Sequence, residues 1–117
     1  MNPTSILAGL LIVAFAALGS AKLAAVPAMR VRAAHVGFSV EAYRRIGLLE
    51  VLGVLGLLAG AFVPAIGALA AAGLLMLLGG ALVAHLRNGD GLREMAPALV
   101  LGLVTGSYLL FVLGDLQ

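Results

Sequence analysis

The feature that most constrains this chain is a set of four apolar runs, at about 4–21, 44–62, 65–86 and 96–114 of 117 residues, joined by short connections. Each approaches the roughly 20 residues that a helix needs to cross a hydrocarbon core. Inside a bilayer, backbone N–H and C=O groups find no water and must be satisfied within the segment, so each run is expected to be a helix. Composition agrees. Hydrophobic residues make up 63% and charged residues 10%, with a mean hydropathy of +1.20, against roughly 25% charged in soluble domains. The expected fold is all-α: a four-transmembrane-helix antiparallel bundle, one integral membrane domain over residues 1–117.

Proline and capping residues set the expected boundaries. Asn2 precedes Pro3, and Pro64 and Pro97 suit a first helical turn, where a missing N–H is no loss. The segment AFVPAI leaves space only for a tight turn between the second and third runs. In KLAAVPAMRVRAAHVGFSVEAYRRIG, Pro27 can open and Gly37 close a short interfacial helix at about 27–36, between helices 1 and 2. Ser39 can then cap the next helix, with Glu41 in its first turn. The stretch RNGDGLREM reads as a polar loop carrying Asn-Gly and Asp-Gly turn signals. The opening MNPTSILAGLLIVAFAALGSAKL lacks the basic start of a secretory signal and is expected to remain as the first helix.

Four spans put both termini and the Pro64 turn on one side. All seven Lys and Arg residues then lie on the other: Lys22, Arg30, Arg32, Arg44, Arg45, Arg87 and Arg93. The positive-inside rule makes that side cytoplasmic and the termini extracytoplasmic in a multi-pass protein of the cell membrane. The net charge of +2 does not indicate nucleic acid, because the basic residues flank apolar segments without interleaved aromatics. With no cysteine, thiolate nucleophiles, iron–sulfur ligation and covalent haem attachment are excluded.

One carboxylate, Glu50, interrupts RRIGLLEVLGVLGLLAGAF. An ionisable group in a span is costly and usually faces a bundle interior where it has partners. Glu50 lies roughly 7–8 Å inside the second helix at 1.5 Å per residue from Arg45. Lys22 ends the first helix and His85 ends the third, so alternating helix direction brings three ionisable groups to similar depth. Gly47, Gly53 and Gly60 share one broad face with Glu50, and small residues allow close approach of a neighbouring helix. A candidate polar cluster of Lys22, Glu50 and His85 follows. It can be a clasp that fixes helix register, or a site that binds a ligand and handles protons. His85 can alternatively offset the helix macrodipole. Glu41 with Arg44 and Arg45 reads as a surface pairing. Tyr108 and Ser107 can extend the polar interior, bond locally or, for Tyr108, anchor at the interface. The GLVTG segment at 102–106 is expected to serve packing within the bundle more than association of copies. No metal site is expected, because His35, His85 and Glu50 lack ligand spacing such as HxxxH and show no fourth partner.

The segments AKLAAVPAM, RRIGLLEVLGVLGLL, ALVAHLRNGD and APALVLGLV together resemble the DoxX-like family of small four-helix membrane proteins, over nearly the entire chain. The family pattern falls on Lys22, Leu23, Pro27, Met29, Arg44, Gly47, Glu50 and His85, with Arg45 an alternative to Arg44. The resemblance implies a fold more than an activity. Relatives are associated with thiosulfate:quinone oxidoreduction, with a mycobacterial complex linking superoxide dismutase to a sulfurtransferase, and with nicotinic receptor assembly. Without cysteines, a thiol relay of the kind some related four-helix redox proteins use is excluded here.

Three functions remain open. The first is an accessory or assembly protein in the lipid bilayer that binds a membrane protein partner or a small hydrophobic ligand. The second is a redox subunit in which Lys22, Glu50 and His85, with Arg44 and Tyr108 as further candidates, hold a quinone head group. The third is a small multidrug-type transporter, which ranks last because the first helix has no acid and aromatics are 5%. Whether a reaction is catalysed, and whether a homo-oligomer forms, stays undecided.

Overall fold

Local chemistry sets the helix ends. In the computed structural model, which describes residues 2–117, the chain forms α1 (Pro3–Leu23), α2 (Pro27–His35), α3 (Val40–Gly60), α4 (Pro64–Arg87) and α5 (Leu92–Asp115). No strand occurs among the described residues. Asn2 accepts from the Ser5 N–H at 2.8 Å and Ser39 from the Ala42 N–H at 3.0 Å, each occupying a donor that the first turn leaves free. Pro3, Pro27 and Pro64 all stand in first turns.

The expected start of the last helix at Pro97 is corrected. It begins five residues earlier, at Leu92, where the Glu94 carboxylate accepts from the Gly91 N–H at 3.0 Å. This acid-to-backbone bond nucleates the turn ahead of the proline. Pro97 therefore sits inside α5, where it withholds the N–H that Arg93 C=O would otherwise receive.

α1, α4 and α5 are long and apolar enough to cross a membrane. α3 matches α1 in length but carries Glu41, Arg44 and Arg45 in its first turns and Glu50 midway. The four apolar runs of the sequence fall on α1, α3, α4 and α5, and the short helix expected at 27–36 is α2.

The long helices form a closed ring in which α1 packs on α3 and α5, and α4 on α3 and α5, with α2 against α3. The core is built from Leu11 and Phe15 of α1, Leu57 of α3, Leu74 of α4, and Tyr108 and Val112 of α5. Outward positions are apolar too: Val13, Leu69, Met76, Leu103 and Leu110 are each more than 70% exposed. An outside this greasy is far beyond the patches soluble proteins tolerate, but it suits lipid.

Glycine decides where backbones meet. A Cβ on Gly47 would lie 2.6 Å from Lys22 Cβ and 2.7 Å from the Gly19 carbonyl oxygen, so α1 and α3 cross at that point. At the Pro64 end, a Cβ on Gly60 would lie 2.7 Å from Gly67 Cα, which joins α3 to α4. Gly102 and Gly106 face open space and so mark no close helix approach inside the bundle, while Val104 and Thr105 between them pack inward.

Candidate functional site

The Gly19–Gly47 crossing brings the end of α1 against the start of α3, and this places Lys22 beside Glu50. Lys22 Nζ donates to Glu50 Oε1 at 2.7 Å, with the two side chains 13% and 5% exposed. The ammonium also lies over the Tyr43 ring, 5.2 Å from its centroid, within cation–π range. Tyr43, Gly47 and Glu50 are spaced i, i+4, i+7, so one stripe of α3 carries an aromatic, a close-approach position and the acid. That spacing is readable in the sequence, although Tyr43 is not among the residues expected in the cluster.

A cavity of about 270 Å³ adjoins this pair. Lys22, Tyr43 and Glu50 line one side, His85 another, and the rest is mostly apolar wall from Phe38, Ile46 and α4 residues such as Leu77 and Ala81. At Met76 and Gly80, both exposed, the wall reaches the outside of the bundle. Lys22, Glu50 and His85 thus line one cavity.

His85 does not bond Glu50. Its Nδ1–H donates to Asp90 Oδ2 at 2.6 Å, and His35 Nε2–H of α2 donates to Asp90 Oδ1 at 3.0 Å. Asn88 Nδ2 donates to the same Oδ1 at 3.0 Å. A carboxylate can only accept, so both ring nitrogens that face it carry the hydrogen. The bond from His85 is the main reason that the Asp90 carboxyl is held below its usual range, with Asn88 and His35 adding to it against partial desolvation.

The turn after α4 explains how Asp90 gets there. Gly89 takes φ +74°, its N–H bonds Leu86 C=O at 3.1 Å, and the Asp90 N–H returns to His85 C=O at 3.0 Å. This is a Schellman turn, which folds the residue after the glycine back over the last helical turn. HLRNGD held that signal: a histidine five residues before an Asp that follows a left-handed glycine. Without the fold the segment shows only a polar loop.

Two expected members lie elsewhere. Arg44 Nε donates to Leu23 C=O at 3.0 Å, satisfying a free carbonyl at the end of α1, and it does not line the cavity. Tyr108 is buried at the opposite end of the bundle, its hydroxyl against Gly60 and Gly67. That end is about 15 Å along α3 from Glu50 at 1.5 Å per residue. The sequence leaves Tyr108 open between a polar interior, a local bond and an interfacial anchor, because it does not fix which groups share its depth. Ser107 bonds its own helix, at Leu103 C=O.

Compared with known proteins, residues 6–107 match the model of the DoxX-like family. No curated protein and no solved structure matches the chain.

Proposed function

Since the chain belongs to the DoxX-like family and is a membrane protein, we propose that it is a four-span bundle that binds a small hydrophobic molecule by a hydrogen-bonding head group, in the cavity beside Lys22 and Glu50. The observation that carries this reading is the polar end of an otherwise apolar cavity: an ion pair, a phenol ring and a histidine supplied by three helices. Small-molecule sites have this makeup, mostly apolar with a few convergent polar groups, at roughly 300–1,000 Å³. At about 270 Å³ the cavity suits a head group. A tail would leave past Met76 and Gly80 into lipid.

The fourth span is α3. Its outward residues Leu48, Leu49, Leu52, Leu55 and Leu58 are all about half exposed, a lipid-facing surface interrupted by no charge. Its acid points the other way, into the bundle, paired as a buried ion in a membrane has to be. α2 lies at the interface, the basic ends of the helices face the cytoplasm, and both termini face away from it in the cell membrane.

The test is to purify the protein from its native membrane into lipid nanodiscs and identify retained small molecules by mass spectrometry. Wild type should keep a molecule absent from empty nanodiscs, and Glu50→Gln with Tyr43→Phe should lose it. Equal retention by the variant, or none by wild type, overturns the reading. A second reading, a quinone redox subunit, is favoured specifically by His85 lining the same cavity as Glu50, because histidine can exchange a proton with a reduced ring near neutral pH. A retained molecule with a quinone difference spectrum selects it; a stable copurifying protein with no small molecule instead selects an accessory or assembly role.

A further inference from the structure

His35 and His85 are fifty residues apart and show no ligand spacing, yet the fold brings them onto one carboxylate. One donor atom each from His35, His85 and Asp90 lies within 4.8 Å of the others. Asp90 is the hub, with His35 Nε2 at 3.0 Å and His85 Nδ1 at 2.6 Å. We propose that His35 Nε2, His85 Nδ1 and the Asp90 carboxylate form a binding site for a divalent transition-metal ion of the zinc class.

The donor chemistry supports that class of ion. Two imidazoles and a carboxylate, without thiolate, are a set used by zinc sites that keep a fourth position open and by other borderline divalent metals. An ion at about 2.0–2.2 Å from each donor would hold the three roughly 3.4 Å apart, within the span of separations the fold already imposes. On binding, the two ring hydrogens that now point at Asp90 move to the other ring nitrogens, His35 Nδ1 and His85 Nε2, one cation takes their place, and the carboxylate keeps its charge. The amide of Asn88, 3.3 Å from His35 Nε2, is placed to support the carboxylate or to turn its oxygen toward the fourth position.

Helix electrostatics give an independent argument. His35 stands in the last turn of α2 and His85 in the last turn of α4. Two C-terminal ends, each the negative pole of its helix dipole, therefore converge where the cation would sit. Backbone restraint adds a third. The Schellman turn at Gly89 holds Asp90 by main-chain bonds, so one ligand is positioned before any ion arrives. The site is separate from the proposed ligand cavity except for His85. His35 and Asp90 do not line that cavity, so they test the metal alone.

The experiment uses the full chain in nanodiscs, with any affinity tag removed and metal stripped by chelator. Zn²⁺ is titrated in competition with a chromophoric chelator, and Co²⁺ in parallel by visible absorption. The expected result is one equivalent bound with micromolar or tighter affinity, and Co²⁺ bands of a four-coordinate site. His35→Ala and Asp90→Asn should each weaken binding at least tenfold, while Glu41→Gln, a surface carboxylate outside the cluster, should not change it. His35 is half exposed, so its removal leaves the core untouched and decides the matter even where Asp90→Asn folds poorly. Absence of binding below millimolar Zn²⁺, or equal affinity in wild type and His35→Ala, overturns the proposal.

Discussion

Replacing Lys22 with Met tests whether the buried ion pair is a structural necessity for Glu50. The substitution keeps the aliphatic bulk and removes the charge 2.7 Å from Oε1, leaving a carboxylate that is 5% exposed without its cation. Removing one partner of a buried pair costs about 3–5 kcal/mol. The loss is capped, because the carboxyl can take up a proton instead. From an ordinary carboxyl value of about 4.3, protonation at pH 7 costs about 3.7 kcal/mol, so the expected destabilisation is about 3–4 kcal/mol.

The sign with pH follows from proton counting. The folded variant then holds one proton that the unfolded chain lacks, so its stability falls by about 1.4 kcal/mol per unit as pH rises from about 5.5 to 7.5. Wild type, in which the Lys22 ammonium bonds the carboxylate at 2.7 Å, should show a shallower slope from this group over that window. Glu50→Gln should cost less, because Lys22 lies at the end of α1 and its long stem can lift the ammonium to loop-side water. Lys22→Met with Glu50→Leu should recover most of the loss, since well-packed apolar replacement of a buried pair is often neutral. Equilibrium unfolding in mixed micelles of these four proteins, and of Glu50→Leu alone to close the double-mutant cycle, measures all of this at several pH values. A loss below about 1 kcal/mol for Lys22→Met, or a loss that does not vary with pH, would refute burial of the acid as the controlling term.

Three glycines separate the packing claims. Gly47→Ala puts a methyl 2.6 Å from Lys22 Cβ and 2.9 Å from Leu23 N, so α1 and α3 must part, at a cost of about 1–3 kcal/mol by the same unfolding assay. Gly89→Ala has open space but forces φ +74° on an L-residue, which should cost about 1–2 kcal/mol. It should also weaken Zn²⁺ binding through Asp90. Gly102→Ala meets nothing within 4 Å on a regular helix, and should be neutral or stabilising by up to about 1 kcal/mol. A large loss there, accompanied by a change in elution volume, would mean that α5 packs on a second copy.

How much was legible divides along the range of the interactions. Asn2, Pro3, Pro27, Gly37, Ser39 and Pro64 mark helix ends in the sequence and in the structure, because capping is settled within four residues of chain. The exception is instructive. Pro97 is as good a start signal as Pro64, but Glu94 and Gly91 complete a bond upstream of it, and the earlier nucleus wins. The juxtaposition of Lys22 with Glu50 was also readable, since helix direction alternates and counting residues gives depth.

Rotation and lateral position were not readable. Whether His85 turns to Glu50 or away from it depends on which groups arrive at the other side, and these are Asp90, brought by a left-handed turn, and His35, brought from α2. Tyr108 is a second case: its depth puts it among Gly60 and Gly67 at the far end. By itself, the sequence determined that the chain is helical, where most helices end and which residues must avoid lipid, because those follow from backbone bonding and desolvation. Only the tertiary structure decided which polar groups meet, because that depends on the close approach of helices at a few glycines and on two chain reversals fifty residues apart.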